Sequence, residues 1–367
     1  MKVLIRNIVL LLALLALPVA ALGQAKKSSK NSKTTKASED LVPDKVLSLK
    51  EKRANRGWTP LVLLSSSLSF AHSKNVVGVQ EGQTWNVGPG IDVRLDYYGD
   101  PHEWRNSMTI RHVQTRTPVI DEFVKTVDSL RLESIYLYHI PEMVWLGPYV
   151  RLTLDTALFP TEDVRAVTTQ YTITDPDSST KIVEGDRLHL SGAFSPLTLK
   201  QAIGLFAKVL DRQAVVIEFR TGMGAREVFA DNGLVITDTP AANSVKLKRL
   251  EDYQQVGAEV FAGISGTLLF EEWGKQRPIK YSFSFEAMTP VYASRKENRS
   301  NWELTNLLFN LNLSVKLFAW ASLDYNFKAV REPLTLDEYQ IQNNLLLNFS
   351  YALVGKPPKA SRPAPKP

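Results

Sequence analysis

The sequence has no cysteine among its 367 residues. Disulfides, thiolate metal sites, cysteine nucleophiles and a lipid-bearing N-terminal cysteine are therefore excluded. Charged residues make up 22% and the hydrophobic set 44%, which fits neither a bundle of membrane helices nor a disordered polyelectrolyte. Histidines are few: His72, His102, His112, His139 and His189. No two share the spacing of metal ligands on a helix, and there is neither a His-Glu-x-x-His run nor a phosphate-cradling glycine-lysine loop. Gly263-Ile264-Ser265-Gly266 is not a nucleophile elbow, and Gly222-Met223-Gly224 reads as loop flexibility. No catalytic motif, cofactor site or metal site is expected.

The net charge of +6 is concentrated in the ends. Lys2 and Arg6 contribute +2, residues 26–40 a net +3 and residues 356–366 +4, which leaves 41–354 at −3. A basic nucleic-acid-binding fold is thus disfavoured, and no nucleic-acid partner is expected. Lys2 and Arg6 precede the leucine-rich run Ile8 to Leu17, followed by Pro18 and the small residues Ala20, Ala21 and Gly23. The run is shorter than the roughly 20 residues of a spanning helix, so residues 1–23 read as a secretion signal. The stretch 24–57 begins with a lysine- and serine-rich tail, and 355–367 is rich in proline and lysine. Both read as solvated tails flanking a body at 58–354.

Within that body, apolar and polar residues alternate over unusual lengths. Trp85, Val87, Pro89, Ile91, Val93, Leu95 and Tyr97 interleave with Asn86, Gly88, Gly90, Asp92, Arg94 and Asp96. Such alternation is a strand with one apolar and one polar face, about twice the usual globular length. The pattern recurs around Leu146–Leu158, Ile279–Val291 and Ile341–Leu353. About twelve strands follow, near 60–73, 83–98, 103–115, 127–140, 145–159, 196–209, 213–225, 253–270, 278–291, 301–316, 319–329 and 339–354. Residues 197–209 also fit an amphipathic helix; the shared parity of Leu199, Ile203, Leu205 and Val209 favours a strand.

Links after even-numbered strands are short, and those after odd-numbered ones are long, notably 160–195 and 226–252. An even strand number with alternating link lengths predicts an antiparallel, up-and-down transmembrane β-barrel of the Gram-negative outer membrane. Short turns and both chain ends would then face the periplasm. Tyr97, Tyr98, Trp104, Tyr138, Trp145, Trp273, Phe318, Trp320 and Tyr351 fall beside the short turns, and Phe70, Trp85, Phe159, Tyr292, Trp302 and Phe327 beside the long links. Two aromatic girdles in lipid headgroups are expected. The inward parity carries charges of both signs: Asp92, Arg94, Asp96, Arg105, Arg111, Arg131, Glu133, Arg151, Asp155, Lys200, Glu218, Arg220, Glu259, Lys280, Glu286, Asp324 and Lys328. They predict either a narrow charge-lined passage or a salt-bridged interior.

The segments SLSFAHSKNVVG, TWNVG, HEWRNSMTIRHVQTRTP, FVKTVDSLRLESIYLY and LGPYVRLTLDT within 58–159 resemble the barrel family called domain of unknown function 3078. SPLTLKQAIGLFAKV and AREVFADNGL are similar to later pieces of that family. The resemblance implies an outer-membrane barrel and supplies no catalytic residues. The expected function is a channel or passive transporter for small solutes. Its partners would be outer-membrane lipid and the barrel-insertion machinery. The alternative is a non-conducting interaction barrel that binds through its long loops or basic tails. A more remote one is a membrane phospholipase using His72 or His112 with nearby serines.

Overall fold

The computed structural model describes residues 56–73, 82–238, 244–272, 275–296, 298–318 and 320–354. The signal segment 1–23, nearly all of 24–57, the tail 355–367, Trp273 and the Asn75–Gly78 piece of a family motif lie outside them.

Period-two alternation gives each strand two unlike faces; pairing in register puts the apolar faces on one side of a sheet, and closing the sheet makes that side the exterior. Twelve strands do this. The first five are β1 (Gly57–Ser73), β2 (Gly82–Gly99), β3 (His102–Arg116), β4 (Val124–Tyr138) and β5 (Leu146–Thr156). After a hairpin of β6 (Thr161–Thr174) and β7 (Thr180–Ser191), the wall resumes with β8 (Leu197–Arg212) and β9 (Val215–Phe229). The short β10 (Leu234–Ile236) and β11 (Ser244–Arg249) precede β12 (Tyr253–Glu272) and β13 (Lys275–Ala293). The chain ends with β14 (Asn306–Phe318), β15 (Ala321–Glu332) and β16 (Leu336–Val354).

The closed wall runs β1-β16-β15-β14-β13-β12-β9-β8-β5-β4-β3-β2. Every pairing in it is antiparallel, and β1 meets β16 from Leu63↔Ala352 to Leu68↔Leu347. Closure leaves no unpaired edge, the condition for a sheet that lies in lipid. These are the twelve strands the alternation predicts, and 197–209 is a strand, β8. The tenth begins at Asn306 rather than 301, so Trp302 sits in the preceding loop and is highly exposed. Because the strand number is even, β1 starts and β16 ends at the rim of the short turns.

Curling the wall brings neighbouring backbones close. A Cβ on Gly204 would lie 2.6 Å from Gly222 Cα, and one on Gly222 would lie 2.6 Å from Gly204 Cα. Gly222 and Gly224 are therefore not loop hinges: they lie within β9, where the lack of a side chain permits a close approach.

The links 160–195 and 226–252, expected to be plain loops, instead build a second sheet ordered β10-β11-β6-β7. Its β11 and β6 are parallel. Tyr171, Ile173, Val245 and Leu247 form its buried core, packed by Val183, Leu188, Leu190, Leu234 and Ile236. Lys125 at the end of the barrel holds the start of this sheet, donating to the Phe159 carbonyl at 2.7 Å and to Thr161 Oγ1 at 2.9 Å.

Candidate functional site

Strand register decides which side chains share the interior. Asp96 stands opposite Arg105, Arg94 opposite Ser107 and Asp92 opposite Thr109. Thr109 in turn stands opposite Arg131, and Ser107 opposite Glu133. Contacts between strands that are not neighbours in the wall must pass through the barrel. Arg105 on β3 donates to Glu218 on β9 at 3.2 Å. Arg151 on β5 reaches Glu259 on β12 and Glu286 on β13, both at 2.7 Å. Lys208 on β8 meets Glu103 on β3 at 2.9 Å. Arg226 on β9 meets Glu332 on β15 at 2.6 Å.

Several of the other predicted charges pair locally along the same face. Arg111 bridges Asp92 at 2.7 Å, and Arg131 bridges Glu133 at 2.8 Å and Asp155 at 3.3 Å. Arg220 lies 3.4 Å from Glu218 and stacks its guanidinium 3.7 Å from the Phe261 ring centroid. Lys280 stands opposite Ser314. In this low-dielectric interior each charge needs a counter-charge, and the pairing draws the walls of β3–β5, β8, β9, β12 and β13 together.

An apolar wedge, unforeseen from sequence, backs this charged layer. Ile135, Leu137, Tyr149, Ala202 and Phe206 form one buried cluster. Ile135 stands opposite both Arg105 and Arg151 in register, so it shares their inward face. Beside the wedge, Glu103 accepts from Lys208 at 2.9 Å and lies 2.9 Å from His139 Nε2. The odd parity of Ile135, Leu137 and Tyr149 is readable in the sequence, but apolar residues on an inward face look like register errors until the charges around them are seen.

The rest of the interior is different in kind. On β14, β15 and β16 the inward parity places Asn310 and Asn312, Asn326, and Gln342 and Asn344. Asn312, Lys328, Gln342 and Asn344 point inward yet are solvent-exposed, whereas Arg151, Glu259 and Lys208 are at most 3% exposed. Water reaches this half of the lumen.

Outside, the order is reversed. Ile203, Val209, Ile341, Leu345 and Leu353 are each more than half exposed, a continuous apolar exterior that water would not tolerate. At the short-turn rim, Trp58 contacts Tyr97 and Trp104 with centroids 5.2 and 5.7 Å apart. His102 packs against Tyr138, Phe318 and Trp320 stack with Phe349, and Trp145 and Tyr351 are exposed. Trp58 joins this group although the sequence did not single it out. Tyr98 departs from it: it points inward, is buried, and donates to Asp96 at 3.4 Å. At the other rim Phe70 packs on Trp85, and Phe159 and Tyr292 are exposed.

Of the histidines whose side chains are described, none is hydrogen-bonded to a serine; the side chain of His72 lies outside them. His112 Nδ1 lies 3.7 Å from Asp128, His102 faces the Tyr136 hydroxyl, and His139 is held between Glu103 and the Val144 carbonyl. Among the described residues no three potential metal ligands converge.

A closed antiparallel barrel with an apolar exterior and a polar interior is a membrane-spanning β-barrel. No family model matches the chain, that of the family its motifs resemble included, and no curated protein matches it. Among solved structures it is similar to the translocator domain of the autotransporter NalP from Neisseria meningitidis. There the identity is 8%, coverage is 81% of this chain and 88% of that chain, and the TM-score is 0.35. It is also similar to the toluene transporter TodX of P. putida, with 9% identity, 82% and 88% coverage and a TM-score of 0.30. For the outer membrane channel DcaP of Acinetobacter baumannii the values are 8%, 81% and 96%, and 0.28. Likenesses this distant transfer no role to this chain.

Proposed function

We propose that this chain is an outer-membrane barrel, with both ends in the periplasm, that forms a narrow passage for small polar solutes. The observation that carries the proposal is the division of the interior: one half is closed by ion pairs and an apolar wedge, and the other is polar and open to water. Paired charges hold the wall without occupying the open side. The aromatic residues Tyr97, Trp104, Tyr138, Trp145, Phe318, Trp320 and Tyr351 then mark the periplasmic headgroup layer. The test is planar-bilayer recording of the purified, reconstituted protein. Discrete, voltage-independent current steps are expected; insertion that stays silent overturns the passage.

The second sheet favours one further role. Its core is separate from the barrel wall, and it grows from the long links, so it would face outward from the cell and offer a folded surface to a partner. Deleting 161–191 should then leave conductance intact while abolishing any cell-surface interaction.

A further inference from the structure

The open half of the interior carries a pattern more specific than polarity. In β12, β13, β14, β15 and β16, Ser265 stands opposite Ser282, Ser282 opposite Asn312, Asn312 opposite Asn326, and Asn326 opposite Asn344. One rung of hydroxyls and carboxamides thus crosses five consecutive strands. The next rung is similar: Ser284 opposite Asn310, Asn310 opposite Lys328, and Lys328 opposite Gln342. Asn312 donates to Ser282 at 3.1 Å and Asn310 to Ser284 at 3.4 Å. The side chains of Asn326, Gln342 and Asn344 make no hydrogen bond to another described residue, and Gln342 and Asn344 are exposed to the lumen.

A carboxamide offers two donors and an acceptor oxygen with two lone pairs and carries no charge. A row of them matches a ligand whose groups both donate and accept along its length, as hydroxyls do. Charged ligands find less here. Lys328 is the only ionisable residue in the two rungs; the guanidiniums of Arg105 and Arg151 are committed to carboxylates on the closed half, and that of Arg226 to Glu332 at the end of β15. We infer that the Asn312–Asn326–Asn344 rung is a binding track for neutral polyhydroxylated solutes, carbohydrates in chemical class. This rests on the polar-passage proposal and names its solute.

Two measurements on the full-length protein separate the two claims. The first is block of single-channel current by maltose and maltotriose; the second is binding of the same sugars to the detergent-solubilised barrel by isothermal titration calorimetry. Saturable block and binding are expected in both. Asn312→Ala, Asn326→Ala and Asn344→Ala should each weaken them about fivefold, roughly the worth of one hydrogen bond, whereas Lys328→Gln should leave them unchanged. Variants that keep the heat-dependent gel mobility of the folded barrel are the ones compared. A barrel that conducts but binds no sugar overturns the track alone. One that binds sugar with asparagine-dependent affinity but never conducts overturns the passage and leaves the track standing. Loss of sugar binding with Lys328→Gln but not with the asparagine variants would place the sugar on the lysine instead of the asparagine rung and overturn the inference.

Discussion

Arg151 Nη1 lies 2.7 Å from Glu286 Oε2, although β8, β9 and β12 separate their strands along the wall. The same guanidinium holds Glu259 through Nη2 at 2.7 Å. One cation thus ties three strands across the interior, at 2% exposure. Arg151→Met should lower unfolding stability by about 3–5 kcal/mol, because two carboxylates are left buried without their partner. Adding Glu259→Gln and Glu286→Gln to it should recover part of the loss. Urea titration in lipid vesicles, followed by tryptophan fluorescence, measures both.

The bridge between Arg105 and Glu218 spans the closed half in the same way. Replacing both by serine removes the two charges together; Glu103 keeps Lys208, while Arg220 loses its nearest carboxylate and keeps its stack on Phe261. The unit conductance in planar bilayers should then rise relative to the parent protein. An unchanged conductance would mean that the passage does not run past this bridge.

Gly204 and Gly222 tolerate no side chain, since an added Cβ would sit within 2.6 Å of the opposite backbone. Gly204→Val and Gly222→Val should each prevent wall closure. The readout is loss of the folded band in gels run without boiling, with little effect from Gly185→Ala, where a Cβ meets nothing closer than 3.4 Å.

On the outside, Ile203 is 62% exposed in the middle of β8. Ile203→Arg places a charge against hydrocarbon and should cost about 2–4 kcal/mol if the position lies near the bilayer midplane. The same change at Ile182, on β7 of the second sheet and 60% exposed, should cost almost nothing. Stability of both variants in vesicles separates lipid-facing from water-facing exposure.

The second sheet has its own pH limit. Tyr171 is fully buried, and its hydroxyl donates to Asp163 at 3.1 Å. Burial and the neighbouring carboxylate push its phenol up to about 12. The unfolded phenol titrates near 10, so the folded sheet holds this proton more tightly. Its contribution is complete below pH ~10 and is lost as pH rises towards 12. Absorbance titration at alkaline pH should show a late-titrating phenol component that is lost in Tyr171→Phe.

The wall was legible because its signal is local. Asp92, Arg94 and Asp96 alternate with Ile91, Val93 and Leu95, and that alternation fixes a strand and its two faces without reference to any other part of the chain. The second sheet was not legible for the opposite reason. β6 is rich in threonine and charge and buries Tyr171 and Ile173 only because β11, some 70 residues away, lies parallel to them. A parallel pair between short segments leaves little trace in either one.

The twelve strands of the wall and the face each of their residues is presented from were already set by neighbouring residues in the chain, because a period of two is a local property. It took the closed fold to settle that Arg151 meets Glu286 rather than another carboxylate, that Ile135 and Phe206 wedge one half of the interior, and that Asn312, Asn326 and Asn344 align on the other. Those partnerships depend on how far each strand slides against the next before the wall closes, a quantity set by all twelve strands together.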